Sequence, residues 1–266
     1  MKFKIALAQA QSCADKELNI RYAREAMSRA AGEHGAKLIV FPENFMCDLN
    51  SDPAPEERAA SAETTDGPFV CAMKELAQEY GIWTVFGMRE PADAERSYNT
   101  TVVLDDAGSM IRAYRKTHLY DAFSTRESDT IVPGSELFEP FDTPFARIGL
   151  LVCYEMRFPE IARDQALKGA ELILMPTAWV RGRQKSEHLR LSVAARALEN
   201  TVFVAMCDMC GGIRIGESAV AGPLGEVIAQ AGSESTLLIA EIDTDQIAAA
   251  RKVLPVLENR RPELYR

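Results

Sequence analysis

Apolar positions along this chain fall into short runs, alternating or continuous, that take turns with longer stretches of helical period. Residues 4–8 read as a strand and 18–35 as an amphipathic helix, with apolar or small residues at Leu18, Tyr22, Ala23, Ala26, Met27 and Ala30. A second strand is predicted over 37–41, a second helix over 69–80 and a third strand over 83–88. A hairpin over 99–104 and 110–114 then turns around Asp105-Asp106-Ala107-Gly108.

The second half repeats that order: strand 147–152, helix 157–168, strand 172–175, helix 186–199, strand 202–207, and a hairpin over 218–221 and 227–229 around Pro223-Leu224-Gly225. Short peptides align between the halves. Ile39-Val40-Phe41-Pro42 matches Ile173-Leu174-Met175-Pro176, and the turn at Asp106-Ala107-Gly108 matches Pro223-Leu224-Gly225. Strand–helix–strand alternation closed by a hairpin implies a mixed sheet with helices on one face in each half. Two such sheets bury their bare faces against each other. The expected fold is therefore α/β, a four-layer αββα sandwich of two mixed sheets with internal pseudo-duplication. No linker rich in Gly, Pro or Ser separates the halves, so residues 1–266 are expected to form one domain. The last stretch, 253–266, offers Leu254, Val256, Leu257, Leu264 and Tyr265 for burial.

Composition narrows the function. The 266 residues carry a net charge of -9 with no cluster of basic residues, which argues against nucleic acid and acidic membranes as partners and favours a small-molecule substrate. The opening peptide, with Lys2, Lys4 and an Ala-x-Ala ending, imitates a secretory leader. Its apolar core is shorter than the roughly 7–15 residues a leader needs, and no segment nears the ~20 apolar residues of a membrane span. Six cysteines without a leader fit reduced thiols in a cytoplasmic protein. Cys207 and Cys210 form one CxxC with no second pair to complete a metal site. No metal or organic cofactor is expected.

Reactive groups in α/β folds gather at the carboxyl ends of strands. Cys153 follows a buried run ending at Val152 and precedes an expected helix, a setting that lowers a thiol pKa and stabilises a neighbouring oxyanion. Glu43 follows the strand ending in Phe41-Pro42, and Lys116 follows the second hairpin strand. A carboxylate can take the thiol proton, and an ammonium can stabilise both a thiolate and the oxyanion formed when it attacks a carbonyl. His118, two residues beyond Lys116, keeps a histidine-based thiol site open as an alternative. Each residue also has a plainer reading: a buried cysteine packs as a small hydrophobe, and charges at loops are solvated.

Three segments together resemble the nitrilase superfamily of carbon–nitrogen hydrolases: Phe41-Pro42-Glu43-Asn44, then Tyr114-Arg115-Lys116-Thr117-His118-Leu119-Tyr120-Asp121, then Gly149 through Cys153-Tyr154-Glu155-Met156-Arg157-Phe158-Pro159-Glu160. Their order and spacing agree along nearly the whole chain. The resemblance implies a four-layer αββα fold and a Glu-Lys-Cys triad at Glu43, Lys116 and Cys153. It also implies a second acid between lysine and cysteine, which falls on Glu127, and a dimer through outer helices and the C-terminal tail. The backbone N–H of Tyr154 is the expected oxyanion donor. Trp179 is placed to wall the acyl pocket, with Arg181 as a partner for a substrate carboxylate and His118 beside the site. Small aliphatic or dicarboxylic (omega) amides rank first as substrates, N-carbamoyl amines second and nitriles third. A non-catalytic binding subunit that keeps the fold is the competing class.

Overall fold

A computed structural model describes residues 1–49, 54–93 and 95–265. In the first half, β1 (Lys2–Gln9) leads through α1 (Lys16–Ser28) to β2 (Leu38–Val40). Then come α2 (Pro55–Ser61), α3 (Pro68–Tyr80), β3 (Trp83–Pro91) and the hairpin β4 (Ser97–Leu104) and β5 (Met110–Arg115). A two-stranded ribbon, β6 (Asp121–Ala122) and β7 (Thr125–Arg126), joins the halves. The second half runs β8 (Phe141–Asp142), β9 (Arg147–Leu150), α4 (Pro159–Leu167), β10 (Leu172–Thr177), α5 (Lys185–Asn200), β11 (Phe203–Asp208), and the hairpin β12 (Ala219–Ala221) and β13 (Val227–Gln230). The chain then returns to the first half with β14 (Thr236–Asp243) and α6 (Asp245–Val253).

Two six-stranded sheets result, ordered β14-β1-β2-β3-β4-β5 and β13-β12-β11-β10-β9-β8. Each holds three parallel strands flanked by antiparallel ones, and the duplication seen in sequence extends to the whole sheet. The antiparallel neighbour that β8 supplies locally to β9 is supplied to β1 by β14, from the far end of the sequence, over eight residue pairs. Neither β8 nor β14 was legible in the apolar pattern. β8 is two residues long, and β14 is half-buried without a clean alternation.

Alternate residues of β1 serve different layers. Ile5 and Leu7 pack between the sheets with Val204 and Met206 of β11, whereas Ala6 and Ala8 face Ala26 and Met27 of α1. Burial on both sides explains the continuous apolar runs of the parallel strands. Local chemistry sets the helix ends: the Asp15 carboxylate caps α1 by accepting from the Glu17 and Leu18 amides at 2.9 and 3.2 Å, Pro68 opens α3, and Gly81 at φ 57° closes it. The expected helix over 157–168 begins later, at Pro159, because residues 153–157 form a 3₁₀ turn and proline suits a first helical position.

No helix among the described residues is long and apolar enough to cross a membrane. Of the tail residues expected at a subunit contact, Leu264 and Tyr265 are exposed on the single chain and Leu254, Val256 and Leu257 are half-buried.

Candidate active site

The strand ends bring Glu43, Lys116, Glu127 and Cys153 to one cavity of about 640 Å³ between the two halves. Glu43 reaches it because the chain after β2 turns tightly, with Asn44 at φ 56°, and lies directly on β3. Gly87 allows that approach, since a Cβ there would sit 2.5 Å from the Asn44 amide nitrogen. Cys153 occupies a strained corner after β9, φ 48°, a conformation costing a non-glycine residue about 1–3 kcal/mol. That corner presents the sulfur to the cavity instead of continuing the strand.

Lys116 is only 1% exposed, and its ammonium donates to Glu43 Oε1 at 2.9 Å and to Glu127 Oε2 at 2.9 Å. Asn99, on β4, donates from Nδ2 to both acids, at 2.8 Å to Glu43 and 3.1 Å to Glu127. The second Glu43 oxygen accepts the Ala178 amide at 3.0 Å, and the Cys153 thiol sits beside the same carboxylate. Glu127 also accepts the Tyr120 amide at 2.7 Å.

Burial is the largest influence on all three core members, and neighbours decide its outcome. Burial alone would raise the Glu43 pKa, yet the Lys116 charge and the hydrogen bonds from Lys116, Cys153 and Asn99 hold it below the usual carboxylate range. Burial would lower that of Lys116, but the charges of Glu127 and Glu43 drive it well above its ordinary value. Cys153 is pushed well up by burial and by Glu43, with Lys116 opposing. The resting site is thus carboxylate, ammonium and neutral thiol. This corrects the expected lowering of the thiol pKa. The turn after Cys153 is 3₁₀, α4 starts six residues on, and a carboxylate faces the sulfur.

Other expected residues divide. Trp179 lines the cavity, its amide donating to Asp208 Oδ1 at 2.8 Å and its indole to the Lys185 carbonyl at 3.0 Å. Tyr154 lies next to Cys153, with its ring turned edge-on to Tyr120 and Phe158. Two placements need correction. His118 is not among the lining residues: its ring packs 4.2 Å from that of Phe158, and Nδ1 pairs with the Thr117 hydroxyl at 2.9 Å. The strand ends at Arg115, so the period-two argument for a shared face with Lys116 does not hold. Arg181 is exposed outside the cavity, its Nε donating to the Arg214 carbonyl at 2.8 Å; Arg214 lines the wall in its stead.

Two buried carboxyls beside the site were missed. Glu155, fully buried, accepts at Oε1 from the Tyr114 hydroxyl, the Thr117 amide and the Thr117 hydroxyl at 2.7, 2.7 and 2.8 Å, and at Oε2 from the Val152 amide at 2.8 Å. It ties the loop after Lys116 to the corner that carries Cys153. Its only signal was an acid inside an otherwise buried segment. Asp208 holds Trp179 and accepts the Thr177 hydroxyl at 2.7 Å, while its Oδ2 is buried without a partner. Burial pushes its pKa up to about 8, against an unfolded value near 4. Between those values the folded protein holds the extra proton, so stability falls as pH rises through that window. Asp208→Asn should flatten the decline in Tm between about pH 4 and pH 8. Parallel wild-type and variant curves would refute the assignment.

A family model for carbon-nitrogen hydrolases matches residues 4–252. The chain is 35% identical to a deaminated glutathione amidase of Escherichia coli O157:H7 over 92% of each chain. It is 34% identical to the omega-amidase of Homo sapiens over 99% of this chain and 96% of that one. Among solved structures, an amidase variant from Nesterenkonia sp. AN1, with acrylamide added at its active-site cysteine, superposes with a TM-score of 0.83 at 29% identity, covering 99% and 98% of the two chains. A buried acid–lysine–thiol constellation at the strand ends and likeness along its whole length place this chain in the carbon-nitrogen hydrolase family.

Proposed function

We propose that the chain hydrolyses a small carboxamide, aliphatic or dicarboxylic, through a thioester on Cys153, with Glu43 as the base and then the acid. The observation that carries this reading is a neutral thiol beside an ionised carboxylate inside a cavity, with a lysine hydrogen-bonded to that carboxylate. The names of the E. coli and human relatives, both amidases, support the amide as the reacting bond.

Glu43 takes the thiol proton as sulfur bonds to the amide carbon and the carbonyl π pair moves to oxygen. Lys116 and the Tyr154 amide stabilise that oxyanion. As the tetrahedral species collapses, the C–N bond breaks and Glu43 returns the proton to nitrogen, so ammonia leaves and a thioester remains. Water then adds to the thioester while Glu43 accepts its proton. The C–S bond breaks, the sulfur is reprotonated, and the carboxylic acid departs. Glu127 acts through Lys116: its charge keeps the ammonium protonated and in place while Glu43 changes charge. Six free thiols among the described residues suit the cytoplasmic setting expected from the sequence.

Ammonia release measured over amides, carbamoyl compounds and nitriles should identify amides as turned over. In parallel, iodoacetamide followed by peptide mass analysis should label Cys153 more slowly when such an amide is present, while exposed Cys71 labels at the same rate with or without it. Labelling of Cys153 indifferent to every amide, with no ammonia from any class, would refute the proposal.

A further inference from the structure

The cavity wall carries charge that the reaction does not use. Among its described lining residues six are basic and four acidic, a positive balance in a chain of net charge -9. Lys116 is matched by Glu43 and Glu127, Arg214 by Asp48 at 3.1 Å, and Arg126 by Asp129 at 3.5 Å. Arg89 and Lys185, one from each half of the molecule, form no ion pair with a carboxylate of the described residues.

Arg89 leaves β3 beside Asn99, the residue that bonds both active-site acids. Its Nε and Nη1 are buried with no acceptor, and burial loosens its hold on its proton even though the nearby charge of Glu127 opposes that shift. A half-buried guanidinium with two N–H groups unbonded and no carboxylate in direct contact is costly, and bonding to a carboxylate is the interaction that recovers the cost. Lys185, 6% exposed, spends one N–H on the Tyr120 hydroxyl at 2.7 Å. The rings of Phe123, Tyr120 and Trp179 flank its ammonium at 4.0, 4.9 and 5.4 Å. Aromatic faces hold a cation without neutralising it, so its charge stays available to a ligand. A neutral aliphatic amide would leave both cations unmatched.

We propose that Arg89, seconded by Lys185, is the specificity-determining residue of this cavity: it anchors a carboxylate on the acyl side of the amide, so that half-amides of dicarboxylic acids are selected over neutral amides of equal length. This rests on the amidase reading and deepens it. The test compares kcat/KM for the half-amide of succinic acid with that for butyramide. Wild type should favour the half-amide by about 100-fold, and Arg89→Gln should collapse that ratio toward one, mainly through KM. Arg89→Lys, which keeps the charge, should retain part of the preference. Lys185→Gln, whose main-chain oxygen still accepts the Trp179 indole, should lower the ratio about tenfold. A ratio unchanged in Arg89→Gln, or a wild type indifferent to the carboxylate, would overturn the proposal and leave the amidase reading standing. Should neither amide be turned over, calorimetric titration with glutarate decides: binding lost in Arg89→Gln supports the anchor, and equal binding refutes it.

Discussion

Cys153→Ala is expected to reduce ammonia release by at least about 10⁴-fold on any amide the wild type hydrolyses, with Tm changed by no more than about 3 °C. Without sulfur no thioester forms, and what remains is the orienting and oxyanion contribution of the cavity alone. Stability should hold, because alanine fills nearly the same space and meets the same φ of 48°. The acid–lysine pair should survive as well, since Glu43 keeps its bonds from Lys116, Asn99 and Ala178. Glu43→Gln offers the complementary loss. Its amide preserves shape and leaves Lys116 its contact with Glu127, but it cannot take a proton from a thiol whose pKa lies well above the ordinary value. Near-normal turnover in Cys153→Ala, measured as ammonia released by a folded protein, would remove the nucleophile assignment.

Glu155→Ala should damage both stability and catalysis. The substitution strips acceptors from the Val152 and Thr117 amides and from the hydroxyls of Tyr114 and Thr117 in a region closed to water. Such a loss costs on the order of 4 kcal/mol, which for a chain of this size lowers Tm by roughly 10 °C. Catalysis should suffer separately, because this carboxylate joins the segment that begins at Lys116 to the corner that displays Cys153. At a temperature where the variant remains folded, kcat should fall about 100-fold while KM moves little, since the reacting groups lose alignment rather than the substrate its contacts. Glu155→Gln retains one acceptor oxygen but turns a donor toward one of its former partners, so its Tm should lie between those of wild type and alanine. A variant that loses stability while keeping kcat would show that Glu155 holds the fold without positioning the site.

Much of this molecule is legible in the order of its residues. Periodicity placed the parallel strands and their covering helices within a few residues, because those elements bury one stripe or both faces and the residue pattern records it. The internal repeat predicted two sheets packed face to face. Glu43 and Cys153 were legible because each closes an apolar run, where a polar residue is conspicuous, and Lys116 because it stands directly at the end of a predicted hairpin strand. Glu127 lacked such a frame and rested on resemblance alone.

Tertiary structure decided whatever depended on distant partners. That β14 completes the first sheet beside β1 is a pairing across more than two hundred residues, and neither segment advertises it. Whether Cys153 rests as thiol or thiolate followed from burial and from a carboxylate supplied by the loop after β2, which together outweighed the local turn from which a low pKa had been expected. Arg181 and His118 were read from spacing as facing the cavity and do not, since loop direction after a strand end is set by packing. The cations that do face it, Arg89 and Lys185, resemble any other basic residue in sequence; only their place in the cavity wall without an ion pair to a carboxylate of the described residues distinguishes them.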